Sequence, residues 1–125
     1  AHGTTFGGNP VACVAALETI ALLQESLMEN ASRIGAHVRK RLQVLMDRYD
    51  ALIDVRGLGL MIGMEFQTQA HAQAVVRACY QRGLIMLGCG DKSVRLSPPL
   101  VVSQHQADVG LDILEEALIE VSHAG

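Results

Sequence analysis

The chain has 125 residues, half of them hydrophobic, and a formal net charge of -3 at pH 7. This length supports one sizeable hydrophobic core and not two. The ten Lys and Arg residues are scattered among thirteen acidic residues, so neither a nucleic-acid surface nor a polybasic membrane patch is expected.

The first ten residues place hydroxyl groups and glycines in front of a helix start. Asn9 is a preferred N-cap residue, and Pro10 suits the first helical position because the N–H that it lacks would have no partner there. Thr4 and Thr5 precede two consecutive glycines, which permit a tight turn or a close approach of the backbone to a ligand. A phosphate suits the free N–H groups of such a helix start. A capped helix after a glycine turn explains the same residues without any ligand.

From Pro10 to about Tyr49 apolar residues recur at helical spacing. We expect two helices or one bent helix here, with the bend at residues 29–32, because Asn and Ser compete with the helix for backbone hydrogen bonds. The apolar positions that define the helical face are Val14, Leu17, Leu22, Ile34, Val38, Leu42 and Leu45.

The rest of the chain predicts the order strand, strand, helix, strand, strand, helix. Strands are expected at 52–55 and at 60–66, and the second of these alternates apolar and polar residues. A helix at 69–82 stops at a glycine, and two short strands at 84–87 and 93–96 form a hairpin. Ser103 and Gln106 have the spacing of a capping box before the last helix. This order predicts an α+β fold in which helices pack on one face of a small, mainly antiparallel sheet.

Several classes of site and location are disfavoured by the sequence. Charges interrupt every apolar run well before 18 residues, so no membrane span or signal peptide is expected and a cytoplasmic location is the default. The five histidines are far apart, so no metal site is expected. The three cysteines lack paired spacing and are predicted to be buried thiols, and three methionines are predicted to fill the core. These residues are Cys13, Cys79 and Cys89, and Met61, Met64 and Met86.

Arg95 is the strongest candidate for a binding residue. Its neighbours Val94 and Leu96 are expected to face the core, so Arg95 is expected to point from the opposite face. A guanidinium there can bind a carboxylate through two hydrogen bonds, although spacing alone also fits an arginine on a solvated face. Asp54 and Glu65 would be an acid pair only if the fold placed them together, and a solvated face is the simpler interpretation.

Three motifs, in order along nearly the whole chain, resemble those of class III aminotransferases. This pyridoxal-phosphate-dependent family is of the ornithine, acetylornithine and 4-aminobutyrate type. The motifs are GTTFGGNP at 3–10, VRGLGLMIGME at 55–65 and VRLSPPL at 94–100, the last preceded by Cys89-Gly90. The resemblance implies a small C-terminal domain of a fold-type I enzyme at 51–125. It also implies that residues 1–50 hold the phosphate motif and a helical arm from the large domain to the small one.

The resemblance also implies roles for three residues. Thr5 matches the threonine that reaches across a dimer interface to the phosphate of the partner subunit's cofactor, and Thr4 matches the neighbouring hydroxyl position. Arg95 matches the arginine that holds the α-carboxylate of the substrate. The implied assembly is a homodimer that shares the cofactor site between subunits, and the implied substrates are an amino acid or ω-amino acid and a 2-oxo acid.

The chain lacks the lysine that such an enzyme needs for its Schiff base with pyridoxal phosphate. Its two lysines are Lys40 and Lys92, and neither matches the family position, which lies upstream of the threonine motif. No catalytic residue is therefore assigned in this chain. The resemblance implies the C-terminal part of a longer aminotransferase that is inactive on its own.

Two alternatives stay open on the sequence alone. Pyridoxal-phosphate-dependent racemases and epimerases of amino acids resemble the same region, including the Cys-Gly before the arginine motif. A standalone α+β binding module would explain the missing lysine, and the threonine-rich and glycine-rich start would then be only a helix cap. The sequence leaves the identity of the amino donor and acceptor open as well.

Overall fold

The computed structural model describes residues 10–98 and 102–123, and it describes residues 10–20 by their helix backbone alone. Three helices and four strands lie within these ranges. They are α1 (Pro10–Arg48), β1 (Leu52–Leu58), β2 (Met61–Phe66), α2 (Gln69–Gln81), β3 (Leu87–Gly88), β4 (Ser93–Leu96) and α3 (Gln104–His123). The order of elements after residue 50 agrees with the prediction.

The four strands form one antiparallel sheet in the order β1-β2-β4-β3. Along β2, Ile62, Met64 and Phe66 are buried, and the residues between them point to the opposite side. All three helices contribute to the single core that covers the buried side. The other side has no cover among the described residues. This arrangement confirms the predicted α+β fold with helices on one face of an antiparallel sheet.

The core is built from apolar stripes whose spacing follows from the sequence. The stripe of α1 recurs every three or four residues, as expected of one helical face packed on a sheet. A similar stripe on α3 packs beside it, and Phe66 is the largest fully buried side chain of the sheet. The stripe residues are Ala31, Ile34, Val38, Leu42 and Leu45 on α1 and Ala107, Leu111, Leu114, Leu118 and Val121 on α3.

Helix α1 continues as one helix through residues 29–32, so the sequence's alternative of two separate helices is wrong. The Asn30 side chain donates a hydrogen bond to the carbonyl oxygen of Val102 at 3.0 Å. Because this side chain makes a tertiary contact, it does not compete with the backbone hydrogen bonds of the helix. Among the described side chains of α1 the first buried one is Ala31, and Leu22 is 67% exposed.

A polar seam joins α1 to α3. Asp108 Oδ1 lies 2.6 Å from His37 Nε2 and 3.0 Å from Arg41 Nη1, and Arg41 Nη2 lies 3.0 Å from Asp112 Oδ1. The hydrogen bonds from His37 and Arg41 hold the pKa of the Asp108 carboxyl below its usual range. The seam extends to Glu115, which accepts hydrogen bonds from Arg48 and Tyr49.

Strand β3 is shorter than the predicted strand at 84–87. The glycine stop after α2 is confirmed, since Gly83 has a φ of 91°. The N–H of Leu84 then donates to the carbonyl oxygen of Cys79 at 2.9 Å, so this residue completes the helix end and does not join the sheet. Two of the three methionines predicted in the core, Met64 and Met86, are buried, whereas Met61 is 64% exposed because it alternates with the buried Ile62 along β2.

The turn between β1 and β2 is held closely against α1. A Cβ atom at Gly35 of α1 would overlap the carbonyl oxygen of Gly59 in this turn. Arg39, one helical turn further along, donates from Nη1 to the same oxygen at 2.9 Å. A glycine at position 35 therefore lets the backbones of the helix and the hairpin meet.

Candidate functional site

The uncovered side of the sheet carries two arginines with a glycine between them. Arg56 of β1 pairs with Gly63 of β2, and Gly63 pairs in turn with Arg95 of β4. Residues directly opposite each other on antiparallel strands share a face, so all three belong to this side, which we call the open face. With strands about 4.8 Å apart, the Cα atoms of the two arginines are separated by about 10 Å. Both arginines line a depression of about 390 Å³.

The charge of Arg56 is compensated within the sheet. Its Nε lies 3.1 Å from Asp54 Oδ2, and its Nη2 lies 3.8 Å from Glu65 Oε1. Asp54 and Glu65 are cross-strand partners, so the structure brings together two carboxylates that the sequence could not place. Since Arg56 lies between them as a counter-ion, they form a charged cluster on the strand surface. Arg56 lies within β1, just beyond the strand that the sequence predicts at 52–55.

Arg95 points from the open face, as the alternation in β4 predicts, and its side chain is exposed. Its Nη2 lies 3.5 Å from Cys89 Sγ, a weak acceptor. Within residues 21–98 and 102–123, no carboxylate forms an ion pair with Arg95. Of the two arginines on this face, it is therefore the guanidinium of Arg95 that can form a charge-assisted pair of hydrogen bonds with an incoming anion.

The two cysteines with described side chains lie in different environments. Cys79 of α2 is buried, and burial raises the pKa of its thiol to about 11. Cys89 is exposed because it follows the short edge strand β3, where no other element covers it. The prediction of a buried thiol is confirmed for Cys79 and wrong for Cys89.

We expect the two cysteines to react with thiol reagents at different rates. With iodoacetamide at pH 8, Cys89 should be alkylated in the native protein, whereas Cys79 should stay protected until unfolding, since its buried thiol is protonated and inaccessible. Peptide mass spectrometry over a time course measures both rates, and the same reaction in 6 M guanidinium chloride is the control. Equal native rates would contradict the burial of Cys79.

The sequence also singles out two threonines as site residues and two lysines for their place outside the family position. Thr4 and Thr5 lie outside the described residues, so their predicted contact with a phosphate stays a prediction. Lys40 on α1 and Lys92 in the β3–β4 turn are exposed, and neither lines the depression beside Arg95.

In the described part of the chain, no group of three or more His, Cys, Asp and Glu side chains is arranged to hold a metal ion. None of the described helices combines the length and the apolar character needed to cross a bilayer.

Comparison with known proteins identifies a family with which this chain shares its sequence. Residues 1–118 match the family model described as aminotransferase class-III. The acetylornithine aminotransferase of Methanothermobacter thermautotrophicus is 37% identical over 121 residues, which is 96% of this chain and 30% of that protein. The chain thus spans about 30% of the length of this relative.

Solved structures give the same result for the fold. The acetylornithine aminotransferase of Elizabethkingia anophelis superposes with a TM-score of 0.76 at 32% identity, covering 96% of this chain and 31% of that one. The ornithine delta-aminotransferase of Plasmodium falciparum superposes with a TM-score of 0.77 at 31% identity, covering 99% of this chain and 33% of that one. The fold described above is therefore also found in these longer proteins.

Proposed function

This chain belongs to the class-III aminotransferase family, and we propose that it is the C-terminal part of an enzyme that transfers an amino group from an amino acid to a 2-oxo acid. The observation that supports this proposal best is Arg95, an exposed guanidinium on the open face without an ionic partner among the described residues. Because the chain spans about 30% of its relatives, the remaining parts of the active site would come from the rest of the protein.

Arg95 would bind and orient the substrate carboxylate. Two parallel N–H donors fix both the position and the plane of a carboxylate, which a lysine ammonium does not. Arg56 is less suited to this task because Asp54 and Glu65 already compensate its charge. Holding the carboxylate leaves the amino end of the substrate in a defined direction, and such positioning lowers the entropic part of the barrier.

The cofactor in this proposal is pyridoxal phosphate, which would supply the electron sink for breaking a bond at the carbon that carries the reacting amino group. Thr5, with Thr4 beside it, would donate hydroxyl hydrogen bonds to the cofactor phosphate of the partner subunit in a homodimer. The exposed Lys40 and Lys92 do not line the depression beside Arg95, and neither matches the family position for the covalent attachment of the cofactor. That lysine would come from the rest of the protein.

Organisation, substrate class and location follow from the same proposal. Residues 1–50 would connect a large domain, through α1, to a small domain at 51–125. The amino donor would be of the ornithine, acetylornithine or 4-aminobutyrate type, and N-acetylornithine is the first to test because relatives are named acetylornithine aminotransferases. The enzyme would be a cytoplasmic homodimer.

The test uses the full-length gene product that contains this chain. We expect a purified protein with the absorbance of bound pyridoxal phosphate that converts N-acetylornithine and 2-oxoglutarate to the aldehyde of the donor and glutamate. Exchange of the Cα hydrogen of an amino acid with a free α-amine for deuterium, without amino transfer to 2-oxoglutarate, would instead indicate a racemase or epimerase. A protein of this length alone, stable as a monomer and without cofactor, would contradict the proposal in favour of a binding module.

A further inference from the structure

We propose that Gly63 is a specificity-determining residue, because its missing side chain leaves a slot between Arg56 and Arg95 that admits the carboxylate end of the substrate. This inference rests on the proposed function, in which Arg95 binds that carboxylate. In this inference Gly63 makes no ionic contact with the carboxylate. Its role is to set how much space the carboxylate has beside Arg95.

The position of the slot follows from the register of the sheet. Gly63 is the cross-strand partner of both arginines, so a side chain at this position would point from the open face between the two guanidinium stems. The depression on this face is lined by all three residues. Any side chain at position 63 would therefore occupy part of the space that a ligand of Arg95 would enter.

The fold itself does not require glycine at this position. A Cβ atom at Gly63 would have Arg56 O as its nearest neighbour, at 3.8 Å, which is an ordinary contact distance. By contrast, a Cβ atom at Gly57 on the adjacent strand would overlap the backbone of Met61. Because glycine weakens a strand relative to other residues and Gly63 is free of such overlap, we attribute the glycine to the space above it.

The charges around the slot favour a carboxylate beside Arg95. On one side of the slot, Arg56 forms ion pairs with Asp54 and Glu65, so its positive charge is already compensated. Glu65 also follows Gly63 by two residues on the same face of β2, and its charge would repel a carboxylate that shifted along the strand. The most favourable position for an anion on this face is therefore over Gly63, within reach of Arg95.

The experiment compares Gly63→Ala and Gly63→Val in the full-length enzyme with Gly88→Val as the matched control. Gly88 pairs with Val94, on the buried side of the sheet, and a Cβ atom there would meet no atom within 4 Å. The measurements are kcat and KM for 2-oxoglutarate and the amino donor, the dissociation constant of 2-oxoglutarate by calorimetry, and the thermal unfolding midpoint.

We expect the larger side chain to weaken substrate binding progressively. Gly63→Ala should raise KM and the dissociation constant about 10-fold and Gly63→Val about 100-fold, since one carbon atom too many in a binding site costs roughly 10-fold or more. The kcat of both variants should stay within about 2-fold of the unmodified enzyme, because the chemical step is not altered. Gly88→Val should match the unmodified enzyme in every binding constant.

The outcomes separate this inference from the function on which it rests. If Arg95→Ala weakens binding while Gly63→Val binds like the unmodified enzyme, the inference about Gly63 is wrong and the carboxylate site stands. If Arg95→Ala leaves binding unchanged, the carboxylate site itself is wrong. Should Gly63→Val lower the unfolding midpoint, Gly63→Ala decides the question, and a normal KM for that variant overturns the inference.

Discussion

Replacing Arg95 with alanine in the full-length enzyme is expected to lower kcat/KM for the amino donor about 100-fold, which corresponds to about 2.7 kcal/mol of lost transition-state stabilisation. The reason is the loss of a charge-assisted pair of hydrogen bonds that no other described residue can replace, since Arg56 is engaged by Asp54 and Glu65. Steady-state kinetics over a range of donor concentrations measures the effect.

Two further variants make the Arg95 experiment specific. Arg95→Lys keeps the positive charge and loses the planar pair of donors, so it should recover only part of the activity. Arg77→Ala removes an exposed arginine from α2, away from the open face, and should change kcat/KM by less than about 2-fold. Similar losses in Arg77→Ala and Arg95→Ala would show that overall charge, and not a contact at Arg95, controls the rate.

Replacing Gly35 with alanine is expected to destabilise the protein by about 3 kcal/mol. The added methyl group would overlap the carbonyl oxygen of Gly59, and this neighbour is backbone, so relief requires the β1–β2 turn to move away from α1. That movement would also break the hydrogen bond from Arg39 to the same oxygen. The clash outweighs the gain of about 1 kcal/mol that alanine brings to a helix interior.

Gly110→Ala is the matched control, since it adds the same methyl group inside another helix. A Cβ atom there would lie 3.7 Å from Leu84 Cδ1, an ordinary contact. We expect this variant to raise stability by about 0.5 to 1 kcal/mol through helix propensity. Thermal and urea unfolding of the full-length enzyme, followed by circular dichroism, measures both changes. Equal shifts for the two variants would contradict a specific contact between Gly35 and Gly59.

The elements that could be predicted from the sequence depend on signals carried by neighbouring residues. Strand β2 has an alternation that places its buried residues, and α3 begins with a capping box in which Ser103 and Gln106 exchange backbone-to-side-chain hydrogen bonds at 3.0 and 3.1 Å. The face from which Arg95 points follows from the same alternation. Local patterns of this kind are sufficient to predict the order of the elements and the fold class.

The features that could not be predicted depend on contacts between distant parts of the chain. Asn30 is compatible with an unbroken α1 because its partner Val102 lies 72 positions away. Arg56 meets both of its carboxylate partners only after the register of β1 and β2 is set. The exposure of Cys89 follows from the place of β3 at the sheet edge, which residue spacing does not reveal.

The seam between α1 and α3 has a consequence for synthesis of the protein on the ribosome. His37 and Asp108 are 71 positions apart, and Tyr49 and Glu115 are 66 apart, so the two helices that close one side of the core are made at opposite ends of the described chain. Contacts over such distances form slowly because a long loop must first be ordered. The apolar stripe of α1 therefore leaves the ribosome without its partner, and a nascent chain stays open to chaperones and to aggregation until α3 has emerged.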